Sequence, residues 1–240
     1  MKPEPWRIRW DAKNTADYWE WAAQSSAVQE HYFALMRGHD LLRKVLRQTA
    51  LVEPVLDLGA GRGDLAALLL AANYLTLTAE TSEVTLAFLS DRFRNNPRFG
   101  GAVTSESRIG LPDQAVGTVF LVETLEHLPD DVVQPLFSEI RRVLRPGGLL
   151  VLTTPYGEDL ARSEQMCPSC HCTYHRWQHV RSLTPASVSS LISDSGLSVM
   201  RCAPTYFSQH RGLHRWLESL RRRIEGHPDD RILCLARRHR

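Results

Sequence analysis

"VLDLGAGRGDL", residues 55–65, decides the fold. "PVLDLG", residues 54–59, reads as a buried strand that closes in a glycine turn. "DLAALLLAAN", residues 64–73, reads as a helix with Asp64 at its start, where a carboxylate favours the exposed amides and the positive end of the helix dipole. Between them Gly59, Gly61 and Gly63 stand at G-x-G-x-G. Glycine is needed where the backbone bends tightly and approaches a ligand with no Cβ in the way. About twenty residues on, "YLTLTAE" (74–80) reads as a second strand closing with Glu80, an acid suited to the two hydroxyls of a ribose.

Working outward, strands and helices alternate. "SEVTLAFLSDRF" follows as a helix with Ser82 as its cap, and a short strand covers 102–104. The next strand lies around 118–122. "DVVQPLFSEIRRVL" is a helix ended by "RPGG", and "LLVLTTP" a further strand. "TPASVSSLISDSG" is a helix with Thr184 as cap, Pro185 at its first position and Gly196 past its end. "LSVMRC" and "RILCLAR" are the last two strands. This order predicts an α/β fold, a mostly parallel sheet wrapped by helices on both faces. Residues 1–50 are expected to form a helical cap, because aromatic and aliphatic residues recur at helical spacing before the first strand.

The chain has 240 residues, 43% hydrophobic and 23% charged, with a formal net charge of +2. That describes a globular chain with a substantial core and excludes disorder. No signal peptide is visible, and "LAALLLAA" is too short to span a bilayer, so a cytoplasmic protein with reduced thiols and no membrane partner is expected. From Ser208 to Arg240 nine Arg stand against four acidic residues, which reads as a solvated helix and edge strand, or as a surface for nucleic acid.

A glycine turn with a ribose acid also suits a nicotinamide dehydrogenase. Here, however, Asp57 precedes the first glycine inside "LDLGAG", and "ETLEHL" and "RVLRPGGLLVLTTP" follow downstream. On these four elements in this order, residues 51–160 resemble a class I S-adenosylmethionine-dependent methyltransferase. The resemblance implies a Rossmann-like seven-stranded sheet whose last strand is antiparallel, inserted as a hairpin between its neighbours. It implies that Asp57, Gly59, Ala60 and Gly61 border the amino-acid part of S-adenosylmethionine. Glu80 and Thr81 would hold the ribose, Val122 and Glu123 would pass beneath the cofactor, and Thr153 and Pro155 would lie at the substrate mouth. The sequence departs from the family in two places. No Asp precedes the "LP" turn, so Ser105, Glu106 or Ser107 must face the adenine, and Gly117 replaces an Asp that commonly begins the strand at 118–122.

Methyl transfer needs little beyond alignment and exclusion of water, with a general base where the nucleophile is a hydroxyl. Candidates are Glu126, His127, His179 and His31. Glu123, Glu126 and His127 stand at i, i+3 and i+4, which places them on one helix face if a helix begins there. Such a set resembles the metal-dependent small-RNA 3′-end methyltransferases and the ubiquinone O-methyltransferases, with His179 as the downstream partner. The same run also occurs in methyltransferases without metal. A second cluster, "MCPSCHCTYHRWQHVR" (166–181), carries one C-x-x-C. It is expected as an insertion spanning 163–181 that holds structural zinc through Cys167, Cys170, Cys172 and His175, or with His179 in place of Cys172. A metal-free substrate loop is the alternative. The expected acceptor is a hydroxyl on a small molecule, the alternative a ribose hydroxyl of RNA. A cofactor-binding or zinc-stabilised interaction module without turnover is the alternative of a different class.

Overall fold

Four central strands carry almost unbroken apolar sequence, which only a sheet covered on both faces tolerates. In the computed structural model, which describes residues 4–105, 108–226 and 228–239, these are β2 (Val55–Leu58), β5 (Val116–Val122), β6 (Leu144–Pro155) and β10 (Arg231–Arg238). With β3 (Thr76–Glu80), β4 (Phe99–Thr104) and β9 (Leu197–Thr205) they form one seven-stranded sheet in the order β4-β3-β2-β5-β6-β10-β9. Neighbours pair in parallel except β10, which is antiparallel to both β6 and β9. The seven strands and the reversed one match the expected architecture. The last two strands are not a simple hairpin, because helix α8 (Gly212–Glu225) is inserted between them.

Side chains alternate between two cores, as the period of a strand requires. Leu56, Leu58, Val119, Leu121, Leu150 and Leu152 face helices α6 (Asp130–Val143) and α7 (Pro185–Asp194). Val55, Phe120, Leu149, Val151, Leu233 and Leu235 face helices α3 (Phe33–Leu46) and α4 (Asp64–Ala71). Helix α5 (Glu83–Phe93) adds Leu89 and Phe93 against α4. Burying each such side chain contributes roughly 1.5–3 kcal/mol. The expected caps are present: Ser82 Oγ accepts from Thr85 N, and Thr184 accepts from Ser187 N with Pro185 first in the helix.

The leader is less uniform than its spacing suggests. It contains a two-residue strand β1 (Trp6–Arg7), helix α1 (Ala12–Ala22), a single turn α2 (Ser26–Gln29) and α3. Only α3 is part of the sheet's core. β1 instead pairs with β8 (Cys172–His175), which pairs with β7 (Glu164–Met166), so the front of the chain and the cysteine insertion form a separate three-stranded sheet. Helix α8 leaves Leu213, Trp216, Leu217, Leu220 and Ile224 exposed. Among the described residues no helix is long and apolar enough to cross a membrane.

Gly117 has a local explanation. A Cβ there would lie 2.5 Å from the carbonyl oxygen of Val52 and 2.7 Å from its carbonyl carbon, and main chain cannot step aside as a side-chain tip can. The acid that the resemblance leads one to expect here has no room. Gly117→Ala is expected to lower stability by about 1–3 kcal/mol, the usual cost of overpacking. Thermal unfolding measures it, and an unchanged melting temperature would show that the segment around Val52 shifts freely.

Candidate active site

The strand order reverses between β2 and β5, and ligands of open α/β sheets sit in the crevice at the carboxyl ends of strands at such a point. The glycine turn after β2 forms one wall. Gly59, Gly61 and Gly63 have φ of 73°, 52° and 76°, the left-handed region that favours glycine. A Cβ on Gly59 would lie 2.8 Å from Thr124 Oγ1, so the missing side chain lets the turn after β5 close against the turn after β2. Ala60 lies within the same turn, where its carbonyl accepts from Gly63 N at 2.8 Å.

The two acids of this wall are held by amides. Asp57 is buried, and its Oδ2 accepts from Ala66 N at 3.1 Å, in the first turns of α4. Glu80 ends β3, and its two oxygens accept from Gly61 N at 2.5 Å and Thr81 N at 3.1 Å. Burial pushes Asp57 up to about 7, with the neighbouring Glu80 adding to the shift, and burial also raises Glu80. Ser105 N donates to the Glu80 carbonyl at 2.8 Å, next to this wall, while Glu106 and Ser107 lie outside the described residues. Tyr32, at the entry to α3, lies over the glycine turn, its ring 3.5 Å from where a Gly61 Cβ would be.

The opposite wall follows β5. "ETLEHL" does not open a helix. Glu123 adopts φ 48°, Leu125–His127 make one 3-10 turn, and α6 begins only at Asp130. The three expected residues therefore do not share a helix face. Val122, at the end of β5, accepts from Thr124 Oγ1 through its carbonyl at 3.1 Å. Glu123 turns to Arg231 of β10, Oε2 to Nε 2.7 Å, and leaves the group. Glu126, His127 and His179 do come together, each offering a ligand atom within 4.8 Å of the others. His31 does not join them. It is exposed, with Nδ1 2.9 Å from the Ala27 carbonyl oxygen and its ring 5.4 Å from that of Trp177.

Electrostatics separates the three. Glu126 is fully buried and accepts from Thr154 Oγ1 at 2.9 Å, while its Oε1 has no partner. Burial, with the Glu123 charge adding to it, raises its carboxyl well above the usual range. Burial and the neighbouring His179 lower His127 well below the usual imidazole range. Trp19 of α1 packs on its ring edge-to-face at 4.5 Å. His179 instead touches an ionised group: its Nδ1 meets Glu158 Oε2 just beyond β6. Burial opposes ionisation of Glu158, yet the hydrogen bonds from His175 and His179 hold its carboxyl down at about 2.

The insertion is stitched to this wall. Gln178, fully buried at φ 59°, donates to the His127 carbonyl at 2.9 Å and accepts from Trp19 Nε1 at 2.8 Å, and Val180 N donates to the Glu126 carbonyl at 2.9 Å. The expected zinc set is not one group. Cys167, Cys170 and Cys172 converge, but His175 lies with Glu158 and His179 instead, because β8 carries it from the cysteine turn to the crevice. Trp6 fastens the cysteine turn by donating from Nε1 to the Cys170 carbonyl at 3.0 Å. Amides of Cys170 and Ser169 lower the Cys167 thiol below its ordinary value, which favours a thiolate. Glu158, Arg231, Gln178, Trp19 and Tyr32 are site residues that sequence reasoning missed. Only Glu158 had a signal, an acid three residues past the "TTP" strand end.

Residues 56–152 match a family model described as a methyltransferase domain. A "Probable S-adenosylmethionine-dependent methyltransferase" of Mycolicibacterium smegmatis is 27% identical over 174 residues, 72% of this chain. The match spans 62% of that relative, so the chain covers less than two thirds of its length. Among solved structures, the Haloferax volcanii protein in complex with the Trm112 methyltransferase activator aligns with a TM-score of 0.66 at 17% identity, covering 93% of this chain and 98% of that one. The glycopeptide N-methyltransferase MtfA, complexed with sinefungin, aligns with a TM-score of 0.61 at 23% identity, covering 83% and 93%. At these identities the two structures speak for the fold.

Asp57 yields a test of this electrostatic account. Its folded pKa of about 7 exceeds the ordinary value of 3.8, so folding favours the protonated form. Its contribution to the stability of the unliganded protein is complete below about pH 4 and is lost as pH rises toward 7, by up to about 1.4 kcal/mol per pH unit. Asp57→Asn is expected to flatten melting temperature against pH in that window. An equal slope in wild type and variant would show that Asp57 is ionised throughout.

Proposed function

Taking as premise that the chain belongs to the class I S-adenosylmethionine-dependent methyltransferases, we propose that it transfers the methyl group of S-adenosylmethionine to a hydroxyl of a small molecule. One observation carries the reading: the close approach of Gly59 to Thr124 sets the amide-held acids of the glycine turn and the Glu126, His127, His179 group on two walls of one crevice.

The cofactor, when bound, supplies an electrophilic methyl on a sulfonium. The residues present fit it. The glycine turn is a cradle that side chains at Gly59 would fill, and Glu80 presents a carboxylate oriented by two amides to a ribose diol. Asp57, Gly59, Ala60 and Gly61 would border its amino-acid end, Thr81 would flank the ribose, and Ser105 would stand toward the adenine. Val122 and Glu123 would line the floor, with the Glu123 charge countered by Arg231. Trp19 and Tyr32 would exclude water from above, which strengthens every polar contact within. Glu126, its carboxyl raised by burial, is a hydrogen-bonding partner for the acceptor. His127, uncharged, lines the pocket. His179 is the base.

The basic C-terminal segment supports a small acceptor over RNA, because at least four of its nine arginines pair within the chain. Arg231 holds Glu123, Arg237 donates to the Gly147 carbonyl and Thr49, Arg238 donates to the Leu144 carbonyl, and Arg221 pairs with Glu225. Should RNA be the acceptor, binding would fall steeply with salt.

Calorimetry with S-adenosylhomocysteine tests the cofactor site. Glu80→Gln is expected to weaken binding about tenfold or more, the worth of a charge-assisted hydrogen bond. Absence of binding by the wild type at high micromolar ligand would overturn the enzyme reading. We assign zinc to Cys167, Cys170 and Cys172 as a structural clip, with the fourth tetrahedral position filled from outside that trio. Cys170→Ser is then expected to lower both zinc content and melting temperature. Unchanged values for both would remove the clip.

A further inference from the structure

Three side chains behind the crevice, His175, Glu158 and His179, stand in a row of polar contacts. His175 is 2% exposed, and its Nδ1 accepts from Trp177 N at 3.3 Å and His179 N at 3.1 Å. A ring nitrogen that accepts from an amide has no proton of its own, so the proton of neutral His175 sits on Nε2. That Nε2 lies 3.4 Å from Glu158 Oε1, a long contact, and has no other partner. The other oxygen of Glu158 meets His179 Nδ1. A carboxylate can only accept, so it selects the proton on Nδ1 of His179 and leaves the lone pair on Nε2. The His175 and His179 rings are stacked at 4.6 Å, and His179 in turn meets the ring of His127 at 4.8 Å, on the crevice side with Glu126.

We propose that His175 and Glu158 are positioning residues that hold His179 with Nδ1 protonated, so that Nε2 faces the crevice as the proton acceptor for the substrate hydroxyl. The base role rests on the methyl-transfer reading above, whereas the tautomer does not. In the step, the hydroxyl oxygen forms a bond to the methyl carbon as the carbon–sulfur bond breaks. That bond's electron pair stays on sulfur, giving neutral S-adenosylhomocysteine. The hydroxyl proton passes to His179 Nε2. The positive charge lost from the sulfonium reappears on the imidazolium, where ionised Glu158 faces it, the arrangement by which a carboxylate orients and stabilises a catalytic histidine. Backbone amides fix the His175 tautomer, and Glu158 fixes that of His179. His175 acts without touching the substrate.

Long-range nitrogen–proton correlation spectra of the histidine rings test the chain of bonds in the whole protein without any acceptor. Wild-type His179 is expected as the Nδ1-protonated tautomer and His175 as the Nε2-protonated one. Glu158→Gln is expected to invert His179. The new side chain's amide oxygen is claimed by the His175 proton, so its NH2 faces His179 Nδ1 and drives the proton to Nε2. A merely structural Glu158 would change melting temperature and leave the tautomer alone. Nε2-protonated His179 in the wild type, or the same tautomer in both proteins, would overturn the proposal, and the wild-type spectrum decides even if the variant does not fold. Failure of the methyl-transfer reading shows separately, as absent S-adenosylhomocysteine binding with the wild-type tautomer intact.

Discussion

At Gly59 the chain makes an approach that no side chain permits. The turn after β2 lies so close to Thr124 that a Cβ would sit 2.8 Å from its hydroxyl. The remaining geometry of the crevice follows from this contact. The glycine turn can place Asp57 and Glu80 under amides only because its backbone turns at positive φ. The turn after β5 can bring Glu126 and His127 alongside only because it packs directly on that glycine. A sheet whose strand order reverses here supplies two diverging loops, and the absent side chain lets them touch.

Around this contact the protein buries groups that cost free energy to bury. Asp57, Glu80, Glu123 and Glu126 all have carboxyls pushed upward, chiefly by desolvation. Such a concentration of perturbed acids in one crevice marks a candidate functional site. Each acid has a different local counterweight: amides for Asp57 and Glu80, Arg231 for Glu123, a threonine hydroxyl for Glu126. Those counterweights separate the roles of otherwise similar residues.

Much of this was legible in the sequence because it is local. The glycine turn, the strand ends at Asp57 and Glu80, the caps at Ser82 and Thr184 and the alternation of strand and helix all depend on residues within one or two elements. What was not legible depends on distant pairing. Arg231 reaches Glu123 from a strand at the other end of the chain, and Trp19 reaches Gln178 across 159 positions. Spacing placed His175 with the cysteines, because a C-x-x-C followed by histidine has the rhythm of a zinc site. The strand β8 separates them, since three extended residues carry a side chain roughly 10 Å along. The leader misled in the opposite sense. Its helical periodicity was real in α1 and α3, but Trp6 and Arg7 pair with β8, an arrangement set by the insertion and not by their own sequence.

The central claim is that one crevice holds the cofactor and the acid–base group together. A crystal structure with S-adenosylhomocysteine tests it most directly. The account predicts the ribose hydroxyls within hydrogen-bonding distance of Glu80, the homocysteine end beside Asp57, and the sulfur turned toward Glu126 and His179. A ligand seated away from the glycine turn, or one whose sulfur points away from His179, would contradict it.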